Sequence, residues 1–293
     1  LGVFVCVTGV SGSGKSTLIN DILYYKIFSE KYKRIAVHSG RQMAAGKHDE
    51  IVGLEQVNDI IRIDQSPIGN TSMSTPATYV GLFDRIRRHF ADTDDARQAG
   101  FTITEFSQFS TKGRCPECGG HGHIITKLFY MPDIKSICPI CGGKRYNEDV
   151  LRVKYKGKSI NDVLNLTMAE ARLFFADEKY ILNKLNVLCE IGLGYVALGQ
   201  HSNTLSGGES QRIKLATELS KRKRQNSLYL LDEPTTGLHV EDIKLLLACL
   251  DKIVDRGNTV VVIEHNMDLI KSADYIIDLG PNGGRDGGSV VAA

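Results

Sequence analysis

"GVSGSGKS", residues 9–16, decides the fold, because it matches the phosphate-binding pattern G-x-x-x-x-G-K-[ST]. Its glycines let the backbone fold around phosphate oxygens with N–H groups pointing inward, and the start of a following helix adds favourable partial charge. The pattern predicts that Lys15 reaches the β- and γ-phosphates of ATP and that the Ser16 hydroxyl ligates Mg²⁺. A chance glycine turn is the alternative. The predicted ATP-binding residues of this loop are Gly9, Ser11, Gly12, Ser13, Gly14, Lys15, Ser16 and Thr17.

The segments on either side of the loop favour the functional interpretation. "VFVCVTG" (residues 3–9) is a short apolar, β-branched run, which is typical of a buried strand. The following "KSTLINDILYYKIF" spaces apolar residues as one face of a helix does. The residues of this face are Leu18, Ile19, Ile22 and Leu23. Strand, glycine loop and helix form the context that the motif requires, so a chance turn is disfavoured.

The C-terminal third of the chain has the same alternation. "SLYLLDE" (residues 227–233) predicts a buried strand, and "VEDIKLLLACLDKIV" (240–254) predicts an amphipathic helix. The helix stripe consists of Ile243, Leu246, Leu247, Leu250 and Val254. "NTVVVIEH" (258–265) and "YIIDLG" (275–280) predict two more strands. Strands that alternate with helices indicate an α/β fold with a mainly parallel sheet covered by helices.

Acidic residues and a histidine follow two of these strands. Open α/β sheets bind ligands at the carboxyl ends of their strands, where Asp232 and Glu233 lie. Asp232 is predicted to hold Mg²⁺ and Glu233 to act as a general base on the attacking water. Strand capping is the alternative, which the upstream loop disfavours. Glu264 and His265 leave the next strand, and although a lone histidine is more often structural, His265 is predicted to sense the γ-phosphate.

The composition describes a soluble globular chain of 293 residues with 42% hydrophobic residues and a net charge of +2. No apolar run approaches the roughly 20 residues of a membrane helix, and no secretory signal opens the chain, so a cytoplasmic protein is expected. Because the chain opens at Leu1 directly on an apolar run, we expect a piece of a longer protein.

The middle of the chain differs from both ends. From about Phe83 to Gln200 it carries charge-rich amphipathic segments and two cysteine pairs. We therefore predict that residues 1–82 and 205–293 form the two parts of an ATP-binding lobe. Residues 83–204 are predicted to be an inserted helical, zinc-binding domain.

The segment "NTLSGGESQRIKLATELSKR" predicts a second anion site. Ser206 suits a helix N-cap, and Gly207 and Gly208 leave backbone amides uncovered where the helix begins. Together with Glu209 these residues complete the predicted ATP-binding set.

The sequence has two CxxC pairs, Cys115/Cys118 and Cys138/Cys141, with nineteen residues between them. This spacing is typical of a tetrahedral Cys₄ zinc site, which is structural because it leaves no open coordination position. An iron–sulfur cluster, and free thiols or disulfides, are the alternatives.

The flanks of the cysteine pairs are basic. Residues 112–158 hold ten Lys or Arg against four Asp or Glu, with aromatic residues between them. This pattern favours contact with a nucleic-acid backbone, although a solvated charged face would look similar. The candidate DNA-contacting residues are Lys112, Arg114, Lys127, Lys144 and Arg145.

"LSGGE" upstream of "LYLLDEPTTGLH" resembles the ATP-binding cassette (ABC) superfamily. That resemblance implies a P-loop NTPase of ABC-ATPase type with composite sites, in which the signature of one cassette closes over ATP on another. By the same resemblance, Gln65 in "IDQSPIG" matches the catalytic Q-loop and His265 the switch histidine. Residues 235–239, "TTGLH", correspond to the D-loop region.

A zinc knuckle between Q-loop and signature narrows the resemblance to the UvrA family of excinuclease components, and to its C-terminal half. The matching segments include "VTGVSGSGKSTLIND", "GGKRYNEDVLRVKYKGKSI", "TLSGGESQRIKLATELSK" and "GNTVVVIEHNMDLIKSADYIIDLGP". The resemblance implies an ATPase component, not itself the nuclease, that recognises damaged double-stranded DNA in bacterial nucleotide excision repair. It further implies a homodimer with two cassettes per chain, the cofactors ATP, Mg²⁺ and Zn²⁺, and loading of UvrB through regions outside this sequence.

Two other functions remain open. A UvrA-like paralogue that protects against DNA-binding drugs would share these motifs. The motor component of a transporter is disfavoured by the long insertion with its metal site. The chain also departs from the family where Asn70 and Met73 occupy a stretch that usually carries arginines, which concerns DNA contacts and leaves the ATP chemistry intact.

Overall fold

A computed structural model describes residues 2–32, 45–69, 71–128, 131–221 and 225–293. It divides into two compact units, one formed by Leu1–Ser66 with Gly207–Ala293 and the other by Pro67–Ser206. The first unit is thus built from both ends of the chain. The functional assignment of residues 1–82, 83–204 and 205–293 stays a prediction.

The strands in these ranges are β1 (Phe4–Gly9), β2 (Asp59–Ile63), β3 (His123–Leu128), β4 (Met131–Ile137), β5 (Ser227–Asp232), β6 (Thr259–Ile263), β7 (Tyr275–Gly280) and β8 (Ser289–Ala292). The helices are α1 (Tyr25–Lys31), α2 (Pro76–Tyr79), α3 (Phe83–Ala91), α4 (Asp94–Gln98), α5 (Glu148–Arg152), α6 (Ile160–Asn165), α7 (Met168–Phe174), α8 (Lys179–Glu190), α9 (Gly207–Leu219), α10 (Val240–Val254) and α11 (Met267–Ser272). Within the described ranges, every helix is too short or too polar to cross a membrane.

The first unit contains one six-stranded sheet with the order β2-β5-β6-β1-β7-β8. The first five strands in this order run parallel, and β8 is antiparallel to β7. The mainly parallel α/β fold predicted from the sequence is therefore confirmed. Register pairs Asp232 with Ile263, Val7 with Ile263 and Gly9 with Leu279, so the carboxyl ends of these strands meet at one edge.

Two helices of this unit differ from the expected periodicity. The helix that follows the glycine loop begins with π-type turns over Thr17–Tyr24 and continues as α1. Of the residues predicted for one apolar face, Ile19 is buried whereas Leu18 is exposed. Helix α10 has the predicted bounds, but its buried face includes Cys249 and Ile253 in place of Leu247 and Val254.

The second unit holds short helices and a two-stranded ribbon. Capping boxes at Thr75, Ser159 and Thr167 begin α2, α6 and α7, which supports helices too short to be stable alone. Strands β3 and β4 pair antiparallel and carry the chain from one cysteine pair to the other. In the same unit, Tyr146 is fully buried and donates its hydroxyl to the Phe106 carbonyl at 3.2 Å.

Candidate functional site

The glycine loop follows β1 directly. A Cβ at Gly9 would lie 2.0 Å from the Leu279 carbonyl oxygen, so no side chain fits there. The Lys15 ammonium donates to the carbonyls of Gly9 at 2.9 Å and Val10 at 2.8 Å, which places the charge inside the loop. The Ser13 hydroxyl is buried without a hydrogen-bond partner among the described residues. A loop with an enclosed cation and an unpaired polar group fits a bound anion such as phosphate.

A cavity of about 260 Å³ opens on this loop. Its lining consists of Ser11, Gly12, Gly14, Lys15, Ser16, Thr17, Glu233 and His265. The His265 Nε2 lies 4.0 Å from the Glu233 Oε1. The structure thus brings the predicted loop, the predicted general base and the predicted sensing histidine to one pocket.

Asp232 lies at the end of β5 and is held by a residue for which no role was predicted from the sequence. The amide of Asn20, in the π-type segment after the loop, donates to the Asp232 Oδ2 at 3.1 Å. Asn20 is buried, and this bond joins positions 212 residues apart. Asp232 does not line the pocket with Ser16, but Asn20 orients its carboxylate from the same helical segment that Ser16 begins.

Gln65 lies beyond β2. Its Nε2 donates to the Glu233 carbonyl at 3.1 Å, and the Glu233 N–H donates to the Ile263 carbonyl at 2.9 Å. A Cβ at Gly207 would lie 2.9 Å from the Gln65 Oε1, so α9 begins directly against this glutamine. Gly207, Gly208 and Glu209 do not line the pocket described above. Ser206, the remaining residue of the predicted signature, is exposed at the end of the second unit.

The four predicted cysteines form one cluster in the second unit. Their Sγ atoms all lie within 4.8 Å of one another and are buried. The Cys115 and Cys138 sulfurs are 3.9 Å apart, and those of Cys118 and Cys141 are 3.7 Å apart. A tetrahedral zinc ion with bonds of about 2.3 Å separates its sulfur ligands by about 3.8 Å, so the cluster fits this ion. All four thiols are free, which excludes the disulfide alternative for this structure.

Polar groups around the cluster act on its thiols. The Gly122 N–H donates to the Cys118 Sγ at 3.2 Å. The backbone N–H of Cys141 lowers the pKa of the Cys138 thiol to about 7, whereas burial raises the pKa of Cys141 to about 12. Backbone donors therefore favour a thiolate at Cys138, the form that ligates metals.

Known proteins match the chain over its whole length. UvrABC system protein A of Methanothermobacter thermautotrophicus is 53% identical over 292 residues, which cover 100% of the chain and 30% of that relative. UvrABC system protein A of Bacillus subtilis is 52% identical over 293 residues, with the same coverage. The chain belongs to the UvrA family. It spans about 30% of the length of these curated relatives.

A solved structure agrees with this UvrA assignment. The crystal structure of UvrA2 from Deinococcus radiodurans matches with a TM-score of 0.86 and 47% identity. The match covers 100% of the present chain and 34% of the UvrA2 chain. No family-level sequence model matches the chain. The predicted P-loop fold of ABC-ATPase type is confirmed.

In this UvrA-family chain, the candidate DNA-contacting residues fall into two groups. Lys112, Lys127 and Lys144 are exposed, and Arg114 is half-buried. Arg145 instead donates its Nη1–H to the Gly199 carbonyl at 2.7 Å, and burial lowers its pKa.

The two departures from the usual UvrA pattern can be placed in part. Asn70 lies outside the described residues. Met73 is buried, and its carbonyl accepts from the Gln108 side chain at 2.9 Å. The Met73 side chain is therefore part of the interior of the second unit and is not presented on its surface.

Glu264 is a functional candidate for which no separate role was predicted from the sequence. It is buried at 2% exposure and accepts four hydrogen bonds: from the Thr235 N–H at 2.9 Å, the Thr235 hydroxyl at 2.5 Å, the His265 N–H at 2.7 Å and the Asn266 N–H at 2.9 Å. One carboxylate thereby joins the D-loop region to the histidine of the pocket. The feature that could have identified Glu264 is the position of an acidic residue directly after a fully buried strand.

We expect Glu264→Ala to lower the free energy of unfolding by about 3 kcal/mol, because it leaves several partly buried donors without an acceptor. Urea denaturation measures the change. The matched control is Glu241→Ala, whose side chain is 72% exposed and pairs with Lys244 on the surface. Equal unfolding midpoints for the two variants would show that Glu264 does not organise this region.

Proposed function

We propose that the chain is an ATP-hydrolysing cassette of a UvrA-type protein, which couples ATP hydrolysis to recognition of damaged duplex DNA in nucleotide excision repair. The observation that carries the proposal is the pocket in which Lys15 and Ser16 meet Glu233 and His265. Motor function in transport lacks support, because the curated relatives are UvrABC system proteins.

Each pocket residue has a defined part in this proposal. Lys15 and the loop amides bind the β- and γ-phosphates, which carry the negative charge of ATP. Glu233 accepts the proton of the attacking water as a general base. His265, 4.0 Å from the Glu233 carboxylate, contacts the γ-phosphate and reports its presence. Ser16 and Asp232 would hold Mg²⁺, which when bound neutralises charge on the phosphates.

The signature residues complete a second site. Because Gly207, Gly208 and Glu209 do not line the chain's own pocket, we propose that they and Ser206 bind ATP held by another cassette. A helix N-terminus, with its favourable partial charge, suits the phosphates of that nucleotide. ATP turnover therefore requires two cassettes, in a homodimer or in a longer chain.

For the second unit we propose a structural zinc ion on Cys115, Cys118, Cys138 and Cys141, since the sulfur spacing fits a tetrahedral set. The exposed Lys112, Lys127 and Lys144, with Arg114, form the proposed DNA-facing set, and Arg145 is left out because it bonds within the unit. Loading of UvrB and a cytoplasmic location are proposed from the family resemblance.

Lys15→Ala tests the nucleotide site. Loss of a charge-assisted contact to phosphate is expected to weaken ATP binding by about 10–100-fold. Isothermal titration measures the affinity, with Lys26→Ala as the matched control, because Lys26 lies on α1, beyond the nucleotide loop, and pairs at the surface with Glu30. The wild type is further expected to hydrolyse ATP faster with lesion-bearing than with intact duplex DNA. Unchanged ATP affinity, or turnover indifferent to lesions, would overturn the proposal.

A further inference from the structure

Helix α9 is fastened to the carboxyl ends of two sheet strands by a glutamine. The Gln211 Nε2 donates to the Ile63 carbonyl at 3.0 Å and to the Asp232 carbonyl at 3.1 Å. Gln211 is buried at 2% exposure, and β2 and β5 are neighbours in the sheet. One amide group thus joins the helix to the strand end before Gln65 and to the strand end that carries Asp232.

One turn later, Lys214 bonds the residues on both sides of Gln65. Its Nζ donates to the Asp64 carbonyl at 3.1 Å, the Asp64 Oδ1 at 2.5 Å and the Ser66 hydroxyl at 2.7 Å. The Ser66 hydroxyl also donates to the Asp64 Oδ1 at 2.5 Å, which closes a three-residue network. Lys214 therefore holds the two neighbours of Gln65 in the chain, Asp64 and Ser66. Gln65 is the residue whose side chain donates to the Glu233 carbonyl.

This contact differs from an ordinary surface ion pair. The Lys214 side chain is 14% exposed and has three acceptors. Lys244, on α10, is 67% exposed and pairs with Glu241, its one acceptor in the part of the chain that the structure describes. Burial would raise the pKa of Asp64, but the hydrogen bonds from Lys214 and Ser66 outweigh it and lower the pKa to about 2. The carboxylate therefore stays ionised throughout the physiological pH range.

We propose that Lys214 is a positioning residue that holds Gln65 against Glu233 and ties the signature helix to the chain's own nucleotide pocket. The inference deepens the proposed function and rests on it. Since α9 begins at Gly207 beside Gln65 and is fastened again at Gln211 and Lys214, the helix moves with the ends of β2 and β5. A change at one nucleotide pocket is thereby carried to the signature that serves the other.

The test compares Lys214→Met with Lys244→Met, two identical substitutions of a lysine paired with an acid. Lys214→Met is expected to lower kcat for ATP hydrolysis about 10–100-fold while KM changes less than about 3-fold, since a misplaced group acts on the chemical step. Lys244→Met is expected to behave as wild type. Asp64→Asn should lower kcat in the same way, and the double variant should be no slower than the worse single variant if the two side chains act through one contact.

Amide hydrogen exchange supplies a readout that does not need ATP turnover. Lys214→Met is expected to speed exchange in residues 59–66 and to leave the rest of the sheet unchanged. If Lys214→Met speeds amide exchange across the whole first unit, the substitution has disturbed the fold in general. The milder Asp64→Asn then tests the inference by the same measurement of exchange in residues 59–66. A wild-type assembly that brings two cassettes together and still lacks ATP turnover would refute the proposed function, while hydrogen exchange would still test the contacts of Lys214 with Asp64 and Ser66. Unchanged amide exchange in residues 59–66 of Lys214→Met would overturn the inference, and so would equal losses in kcat and in ATP affinity. It would also be overturned if the two substitutions lowered kcat multiplicatively in the double variant.

Discussion

Glu233→Gln is expected to slow ATP hydrolysis by about 10²–10⁴-fold, the usual contribution of a general base. The Glu233 side chain lines the pocket beside Lys15 and Ser16, where a water molecule can approach a bound phosphate. Glutamine keeps the shape of glutamate but cannot accept a proton at neutral pH. Both backbone contacts, to the Ile263 carbonyl and from the Gln65 amide, remain available because the main chain makes them. ATP affinity should therefore stay within about 3-fold of wild type.

Single-turnover hydrolysis with labelled ATP separates the chemical step from binding. Glu241→Gln is the matched control, since this glutamate is exposed on α10 and pairs with Lys244. A control variant as slow as Glu233→Gln would indicate a general loss of charge or fold. Full activity of Glu233→Gln would show that another group acts as the general base, and His265 lines the same pocket.

The parts of the fold that were predictable carry strong local signals. The glycine loop, β5 and α10 each have a motif or a period that a single segment reveals, and the structure has them at the predicted bounds or within one residue. Strand β2 was not predicted, because "DIIRI" is five residues long with an arginine inside, and such short runs fit several structures. The π-type segment after the loop was also missed, since the expected stripe assumes regular α-helical spacing.

The contacts that organise the site could not be read from sequence. Asn20 bonds Asp232 across 212 residues, and Lys214 bonds the Gln65 segment across about 150. An asparagine or lysine on a helix is most often a solvated residue, and no local pattern distinguishes one that reaches a strand end. The sequence pointed more strongly to Glu264, because an acidic side chain at the end of a buried strand needs hydrogen-bond donors around it. The partners themselves depend on the strand order, which the sequence does not state.

Cys115→Ser is expected to remove bound zinc from the chain and to unfold the region around the ribbon. Within the described residues, the cluster of four buried cysteines is packed against one partly buried hydrophobic side chain, Ile124. Few apolar contacts can hold the ribbon ends together there, so the proposed zinc ion would supply most of the local stability. Structural zinc contributes about 10–16 kcal/mol in small domains. Serine is a poor zinc ligand at neutral pH, and three remaining thiolates leave the tetrahedral set incomplete.

Two measurements separate this loss from a general failure to fold. Zinc content by elemental analysis should fall from about one ion per chain to nearly none, and proteolysis should begin in residues 113–147 while ATP binding persists. ATP binding persists because the nucleotide pocket is lined by residues of the first unit. Cys189→Ser, outside the cluster, is the matched control and should keep its zinc. A Cys115→Ser chain that keeps zinc and resists proteolysis would show that this cysteine is not a metal ligand, and one that loses ATP binding would place the cluster in support of the nucleotide site.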